Sequence, residues 1–324
     1  HEEEVEPEAV EEDRLEFGSE IVLNSSLHTK TKGFRQRVAF HVKEIYGDED
    51  GDEITDELME AAKMSEHASP PALAMSKWDQ SDVMMVTYGD SIKKEGRPPL
   101  RELNNFMVSQ LKNTMSGVHI LPFNPYSSDD GFSVIDYTTV NPALGSWDDI
   151  TAIGNEFSVM ADLVINHCSR ESLWFKNYEK NKAPGRGYFI NGLEFEDLSQ
   201  VVRPRSTPLL TEVHAVDGVK QVWCTFGEDQ VDLNYRNPDV LLEIVRIIRQ
   251  YVEQGIRFFR LDAIAFLWKE SATSCVHLPQ THELIKLLRL IIENLDPSAV
   301  IITETNVPNR ENLSYFGNDN EAHL

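Results

Sequence analysis

The sequence has 324 residues, of which 41% are hydrophobic, so it is long enough for one large α/β domain or two smaller ones. Its formal net charge of −24 makes nucleic acid and anionic membranes poor partners, because both would repel the chain. It has no run of about eighteen apolar residues, so no transmembrane helix is predicted.

The first 75 residues are predicted to precede the catalytic region as a separate part. Residues 1–20 are mostly acidic, with Arg14 as their only Lys or Arg, and this composition is typical of a solvated, frayed leader. They show neither a basic region nor an apolar core, so no secretory signal is predicted. Residues 20–66 indicate a small helical extension, and ASPPALAMS at 68–76 is the best linker candidate.

Apolar runs and helical patterns alternate along residues 76–324. The runs, which we interpret as buried strands, are DVMMVTYG (82–89), GVHILPF (117–123), FSVMADLVIN (157–166), GIRFFRLDAIAF (255–266) and AVIITETN (299–306). Helical spacing is present at about 98–114, at 237–255 and at about 280–294. Alternation of strands and helices predicts an α/β fold with a parallel sheet.

The segment 168–230 interrupts this alternation after the third strand. It is long and poor in predicted strands. Such a length indicates an inserted subdomain or an active-site loop rather than a simple connection.

Polar residues collect where the predicted strands end. They are Asp129 and Asp130 after the second strand, Asp162, Asn166 and His167 at the third, Arg260 and Asp262 at the fourth, and Glu304 at the fifth. In a parallel α/β barrel, the carboxyl ends of the strands meet at the face where active sites form. A lone Arg260–Asp262 pair could be structural, but acids or histidine at consecutive strand ends favour a shared site.

Two of these carboxylates suit glycosyl transfer. Arg260 beside Asp262 should depress the pKa of Asp262 and keep it ionised, whereas Glu304 has no adjacent base, so burial should raise its pKa and leave it protonated. An ionised nucleophile and a protonated acid about 5–5.5 Å apart form the pair of a retaining enzyme.

Three blocks carry a resemblance to a known family. DLVINH (162–167), IRFFRLDAIAF (256–266) and IITETN (301–306) resemble, in this order, the motifs of glycoside hydrolase family 13, the α-amylase superfamily. Further blocks at 117–150, 203–211 and 226–234 resemble its sucrose phosphorylase branch, including relatives that act on glucosylglycerate and glucosylglycerol. The resemblance covers about residues 80–324 and implies a (β/α)8 barrel.

The resemblance implies roles for the central residues. Asp262 would be the nucleophile that forms a β-glucosyl-enzyme, Glu304 the acid/base, and Arg260 the residue that orients and ionises Asp262. His167 and Asp129 would hold hydroxyls of the glucose ring. The remaining implied substrate contacts are Phe132 packing on that ring, Asp162 and Asn166 bracing the site, and Gln230 on a loop over the acceptor side.

Some positions leave two interpretations open. Arg203 and Arg205 could bind phosphate or an acceptor carboxylate, or they could form a solvated turn. Tyr88 could stack on the sugar or belong to the core. His119, inside a strand, is interpreted as a hydrogen-bonded core histidine. Cys168 is not expected to pair with His167 as a nucleophile, because adjacent strand residues point to opposite faces.

The sequence departs from the family pattern at its end. A complete barrel has eight strands, whereas only five are predicted here, and the family's third catalytic acid has no counterpart in this sequence. We therefore expect a chain truncated after the fifth strand, with an open sheet edge.

The expected function is retaining phosphorolysis of an α-glucosidic bond to give α-glucose 1-phosphate, with glucosylglycerate as the substrate. Sucrose phosphorylase, an α-glucosidase or amylase-like hydrolase, and a non-catalytic barrel remnant remain alternatives. No cofactor and no metal are implied; the partners are a sugar and inorganic phosphate. Three cysteines without CxxC spacing favour the cytoplasm. The sequence does not determine the oligomeric state, for which a homodimer is one candidate.

Overall fold

The computed structural model of the chain describes residues 33–64, 78–305 and 307–316. The predicted acidic leader at 1–20 and the linker at 68–76 lie outside these residues. The strands of the described residues are β1 (Met84–Thr87), β2 (Gly117–Ile120), β3 (Ser158–Val164), β4 (His167–Cys168), β5 (Leu210–Ala215), β6 (Gly218–Trp223), β7 (Val231–Asp232), β8 (Ile256–Asp262) and β9 (Val300–Thr303). The α-helices are α1 (Phe34–Tyr46), α2 (Gly51–Ala61), α3 (Pro99–Gln110), α4 (Trp147–Gly154), α5 (Leu173–Glu179), α6 (Pro238–Glu253), α7 (Pro279–Leu295) and α8 (Asn309–Leu313).

The centre of the fold is a five-stranded sheet with the order β1-β2-β3-β8-β9, in which all neighbours are parallel. Each of the five predicted apolar runs contains one of these strands, so the α/β prediction is confirmed. The strands are apolar because the helices α3, α4, α6 and α7 cross over between them and cover the sheet, as parallel strands require. This arrangement is part of a (β/α)8 barrel. The short helix α4 was not predicted.

Helix α6 shows how the sequence sets one of these crossovers. The side chain of Asn237 caps its first turn by accepting a hydrogen bond from the amide of Asp239, and Pro238 follows at the first helical position. Residues at helical spacing, including Leu241, Ile244 and Ile248, are fully buried. This apolar stripe holds the helix against the sheet.

The segment between β3 and β8 begins with β4 and contains β7 near its end. These two strands form an antiparallel pair in which His167 of β4 lies opposite Asp232 of β7. Between them are α5 and a hairpin of β5 and β6. The prediction of a strand-poor segment is wrong here, because only Val213 of β5 is buried and its strand therefore lacks an apolar run. Val216 and Asp217 form the turn of the hairpin, and Gly218, which has a φ of 129°, begins β6 opposite Ala215.

The helical extension is packed against the barrel helices. Helix α1 lies on α7 and α2 lies on α6. Phe34, Val38 and Val42 of α1 are buried in the same hydrophobic core as the sheet. The domain boundary near residue 75 stays a prediction. No helix in the described ranges has the length and apolar content that crossing a membrane requires.

Candidate active site

The carboxyl ends of the central strands bring the predicted residues together. Asp162 on β3 lies opposite Arg260 on β8, and Val164 lies opposite Asp262. The amide of Glu304 donates to the carbonyl of Leu261 over 2.8 Å, so Glu304 follows β9 at the same edge. The grouping of these strand-end residues matches the expectation from the sequence.

Asp162 is the centre of a buried ion-pair network across three strands. Its side chain is fully buried. One oxygen, Oδ2, lies 2.7 Å from Nε2 of His119, and the other, Oδ1, lies 2.5 Å from Nη1 of Arg260. His119 is thus hydrogen-bonded and buried, as interpreted from the sequence, and its partner is a residue of the site.

Arg260 does not neutralise Asp262 in the way that the sequence suggested. Its Nη1 lies 3.4 Å from Oδ1 of Asp262, farther than from Asp162. Burial raises the pKa of Asp262 to about 7; Arg260 opposes this, while the negative charges of Glu304 and Asp162 add to it. The prediction of a depressed pKa is therefore wrong, because the effect of burial exceeds that of Arg260, whose closest contact is with Asp162.

Glu304 is held beside the residue that follows Asp262. Its Oε2 accepts a hydrogen bond of 3.2 Å from the backbone amide of Ala263. Ala263 has a φ of 52°, a left-handed conformation that is uncommon for a residue with a Cβ atom. This turn aims the amide at Glu304 and links the two carboxylates through the backbone.

A second group lies over the ends of β2 and β4. The amide nitrogen of Gln230, Nε2, donates to Oδ2 of Asp129 over 2.8 Å. Nε2 of His167 lies 3.0 Å from the carbonyl oxygen of Phe132, and the ring of Phe132 lies 5.8 Å from the guanidinium carbon of Arg260. The structure thus joins Asp129, Phe132, His167 and Gln230 into one cluster next to the strand-end acids.

The turn that carries Asp129 is conformationally unusual. Asp129, Asp130 and Gly131 have positive φ angles of 54°, 51° and 110° in succession. A Cβ atom at Gly131 would lie 2.7 Å from Cβ of Pro122. Such backbone persists only where the surroundings hold it in place, and it clusters at functional sites.

Asp229 holds this turn in place; it lies in the block 226–234 but was not predicted as a site residue. Its Oδ2 accepts hydrogen bonds from the hydroxyls of Ser127, Ser128 (2.6 Å) and Ser133 (2.9 Å), and Oδ1 accepts from the amide of Arg170 (3.2 Å). Although partial burial opposes it, these bonds hold the pKa of Asp229 below its usual range. One carboxylate therefore fixes both sides of the Asp129 turn.

A buried network lies behind His167. Nζ of Lys269 is 2.7 Å from Oδ2 of Asp232 and 3.1 Å from Oδ1 of Asn166. Nδ2 of Asn166 is in turn 3.2 Å from Nδ1 of His167. Neither Lys269 nor Asp232 was predicted as a site residue, although a lysine directly after the apolar run 263–268 was a signal for a buried charge.

The other predicted residues lie farther out or are exposed. Tyr88 is 40% exposed, so it does not belong to the core, and burial together with the charges of Asp130 and Asp129 raises its pKa. Arg203 and Arg205 are exposed, and Arg203 donates to the carbonyl of Thr207. Their role in anion binding stays a prediction.

Cys168 is unsuited to nucleophilic chemistry. It is fully buried, its Sγ lies 3.5 Å from the hydroxyl of Ser172, and burial raises the pKa of its thiol to about 12. The thiolate that a nucleophile needs would therefore be scarce at neutral pH.

A parallel sheet alternating with helices, with acids at its carboxyl edge, defines the chain as part of a (β/α)8-barrel protein. The family described as "Alpha amylase, catalytic domain" matches residues 111–324, and the chain belongs to this Alpha-amylase family. The resemblance seen in the sequence is thereby confirmed.

Two relatives and one solved structure are similar to this chain. The glucosylglycerate phosphorylase of Spirochaeta thermophila is 52% identical over 246 residues, which cover 76% of this chain and 42% of the relative. The sucrose phosphorylase of Streptococcus mutans is 35% identical over 203 residues, which cover 59% of this chain and 41% of the relative. The crystal structure of sucrose 6F-phosphate phosphorylase from Thermoanaerobacter thermosaccharolyticum has a TM-score of 0.66 at 25% identity, covering 74% of this chain and 50% of that one. This chain thus spans half or less of the length of each.

Proposed function

We propose that the chain contributes the nucleophile and the acid/base of a retaining α-glucoside phosphorylase that acts on glucosylglycerate. The observation that carries this is the 52% identity with a glucosylglycerate phosphorylase, against 35% with a sucrose phosphorylase. Asp262, Glu304, Arg260 and His167 at one sheet edge support the same chemistry.

The reaction takes place in two displacements. Asp262 attacks the anomeric carbon, and the bond from that carbon to the glycosidic oxygen breaks as Glu304 gives its proton to the leaving glycerate. A phosphate oxygen then attacks the same carbon and gives a proton to Glu304, and the ester bond to Asp262 breaks. Two inversions leave α-glucose 1-phosphate.

We also propose supporting tasks for the neighbouring residues. Because Arg260 lies between Asp162 and Asp262, it can shift toward Asp262 when that carboxylate ionises. Asp129 and His167 hold ring hydroxyls, Phe132 packs on the ring, and Gln230 lies on the acceptor side. Arg203 and Arg205 bind phosphate or the carboxylate of glycerate, since a guanidinium offers a fork of donors that fits both.

The test is phosphate release from α-glucose 1-phosphate by the protein expressed from its complete gene. D-Glycerate, glycerol, fructose and water would serve as acceptors, with Asp262→Asn as the inactive control and Glu156→Gln, an exposed acid on the Lys112–Glu156 pair, as the matched control. Release that depends on D-glycerate and is lost only with Asp262→Asn supports the proposal. Preference for fructose would assign a sucrose phosphorylase, glucose release with water a hydrolase, and no turnover a non-catalytic barrel.

We also propose a cytoplasmic location, because Cys168, Cys224 and Cys275 are free and buried, as suits a reducing compartment. A homodimer stays a prediction that light scattering of the purified protein measures directly.

A further inference from the structure

Lys269 is a charged side chain deep in the protein. It is 2% exposed, and its partner Asp232 is completely buried. Asp232 also accepts hydrogen bonds from the hydroxyl of Thr225 (2.6 Å) and from its amide (2.8 Å). Burying such a pair has a large desolvation cost and contributes little to stability on balance. Its placement beside Asn166 therefore points to another task.

The pair fixes the orientation of the Asn166 amide. Oδ1 of Asn166 accepts from the Lys269 ammonium over 3.1 Å, and Nδ2 donates to Oδ2 of Asp232 over 3.1 Å. Rotating the amide by half a turn would place its NH2 group against the ammonium and its oxygen against the carboxylate. Both contacts would be repulsive, because an ammonium only donates and a carboxylate only accepts.

The oriented amide in turn selects the tautomer of His167. Nδ2 of Asn166 lies 3.2 Å from Nδ1 of His167, so a donor faces this nitrogen and Nδ1 must be bare. Nε2 lies 3.0 Å from the carbonyl of Phe132, which only accepts, so Nε2 must carry the proton. Nε2 of Gln230 lies 3.3 Å from the same nitrogen, but its own hydrogens are directed to Asp129 and to the Phe132 carbonyl.

Burial of the His167 ring also favours the neutral imidazole. It lowers the pKa of His167, which keeps the imidazole neutral at neutral pH. A neutral ring with a bare Nδ1 has one N–H group, and this group lies on the side of Asp129, Phe132 and Gln230.

We propose that Lys269, acting through Asn166, is a positioning residue that holds His167 as the neutral tautomer protonated on Nε2. His167 then directs its one N–H group toward the carbonyl of Phe132 and offers no acceptor on that side. The consequence for substrate, that a bound glucose hydroxyl accepts this N–H together with or in place of the Phe132 carbonyl, rests on the proposed function, whereas the tautomer itself does not.

The direct test is 15N NMR of the chain with labelled histidine at neutral pH, with His167 assigned by the loss of its signals in His167→Gln. A protonated and a bare ring nitrogen resonate far apart. We expect a bare Nδ1 and a protonated Nε2. A protonated Nδ1, alone or in an imidazolium, overturns the proposal whatever the enzyme does, so its failure is distinct from failure of the phosphorylase assignment.

Two variants test the role of Lys269. Lys269→Met removes the donor to Oδ1 of Asn166 and leaves only Asp232 to orient the amide. We therefore expect a signal of protonated Nδ1 to appear beside the signals of the wild-type tautomer. The control Lys176→Met removes a partly exposed lysine paired with Glu171 and should leave the His167 signals in place. Signals in a folded Lys269→Met protein that match the wild type would refute the role.

A second variant covers the case in which Lys269→Met does not fold. Asn166→Asp retains Lys269 and its partner but presents a carboxylate to Nδ1 of His167, so the proton should move from Nε2 to Nδ1. An unchanged Nε2–H tautomer in Asn166→Asp would show that residue 166 does not select it and would refute the proposal.

Discussion

Arg260 binds Asp162 through a contact of 2.5 Å between Nη1 and Oδ1. The proposed nucleophile, two residues along the strand, lies 3.4 Å from the same nitrogen. The Arg260 guanidinium therefore interacts with two buried acids, and its interaction with the closer one, Asp162, is the stronger. Burial raises the pKa of the proposed nucleophile to about 7, and Arg260, whose closest contact is with Asp162, offsets only part of this effect.

The first prediction concerns the pH dependence of the reaction. Because burial raises the pKa of Asp262 to about 7, half of the proposed nucleophile is protonated at that pH. We expect kcat/KM to fall about tenfold for each pH unit below 7, since only the ionised carboxylate attacks. A profile of phosphorolysis from pH 4.5 to 9 measures this. A rate that stays level down to pH 5 would mean that Asp262 is ionised throughout.

The second prediction follows from the shared guanidinium. In Asp162→Asn, a neighbouring negative charge is removed and Arg260 is free to pair with Asp262, and both changes lower the pKa of Asp262. The acidic limb of the pH profile should move to lower pH, even if the maximal rate decreases. Glu156→Gln is the matched control and should leave the limb in place; a limb that moves to higher pH in Asp162→Asn would contradict the assignment.

The third prediction is a pH-dependent gain in stability. The pKa of Asp262 is raised on folding, so between about pH 4 and 7 the unfolded state loses a proton that the folded state retains. Stability should therefore fall as the pH rises through this window. Asp262→Asn removes the free-energy cost of ionising a buried carboxyl group. It should raise the free energy of unfolding at pH 8 by as much as about 4 kcal/mol, and this gain should vanish toward pH 4.

Denaturant unfolding of both proteins at pH 4.5 and pH 8 measures this difference. A gain of equal size at the two pH values would show that the effect comes from packing rather than from the charge.

The fourth prediction concerns the hold of Asp229 on the Asp129 turn. Asp229→Asn weakens the acceptor for three serine hydroxyls and should cost about 1–3 kcal/mol of stability. Amide hydrogen exchange in residues 127–133 should become faster, and KM for the glucosyl donor should rise because Asp129 is less well held. Glu228→Gln, next in sequence and with a side chain 73% exposed, should change none of these.

The fifth prediction concerns Gly131 in the Asp129 turn. It separates the cost of a positive φ from the cost of a steric clash, by comparison with Gly96 elsewhere in the chain. Gly131 and Gly96 both have positive φ, but only at Gly131 would a Cβ atom meet a neighbour. Gly96→Ala should cost about 1 kcal/mol through the backbone alone. Gly131→Ala should cost about 1–3 kcal/mol more, because Pro122 must move. Equal losses in thermal unfolding of the two variants would mean that Pro122 yields without cost.

The sequence predicted the sheet and the grouping of its acids because both depend on local patterns. Runs such as 157–166 and 255–266 are apolar on both faces, and their polar ends fall together once the strands are parallel. The partner of Arg260 was not predictable in this way. It depends on the register of β3 against β8, which places Asp162 opposite Arg260, whereas the sequence suggests the neighbour Asp262.

Contacts over long sequence distances were missed for the same reason. Asp229 lies about a hundred residues from Ser127 and Ser128, and Lys269 lies 103 residues from Asn166. No periodicity connects such positions. The hairpin of β5 and β6 was missed because its strands are largely exposed and lack the apolar run by which the central strands were found.

The antiparallel pair of β4 and β7 has a practical consequence for engineering. The long excursion between them starts and finishes at adjacent positions, with His167 facing Asp232. A designer who exchanges this segment between homologous enzymes can therefore keep residues 166–170 and 227–232 and replace only the residues between them, which retains the β4–β7 pair. A graft cut within this pair would change the hydrogen bonding of His167 even if every transplanted residue were well chosen.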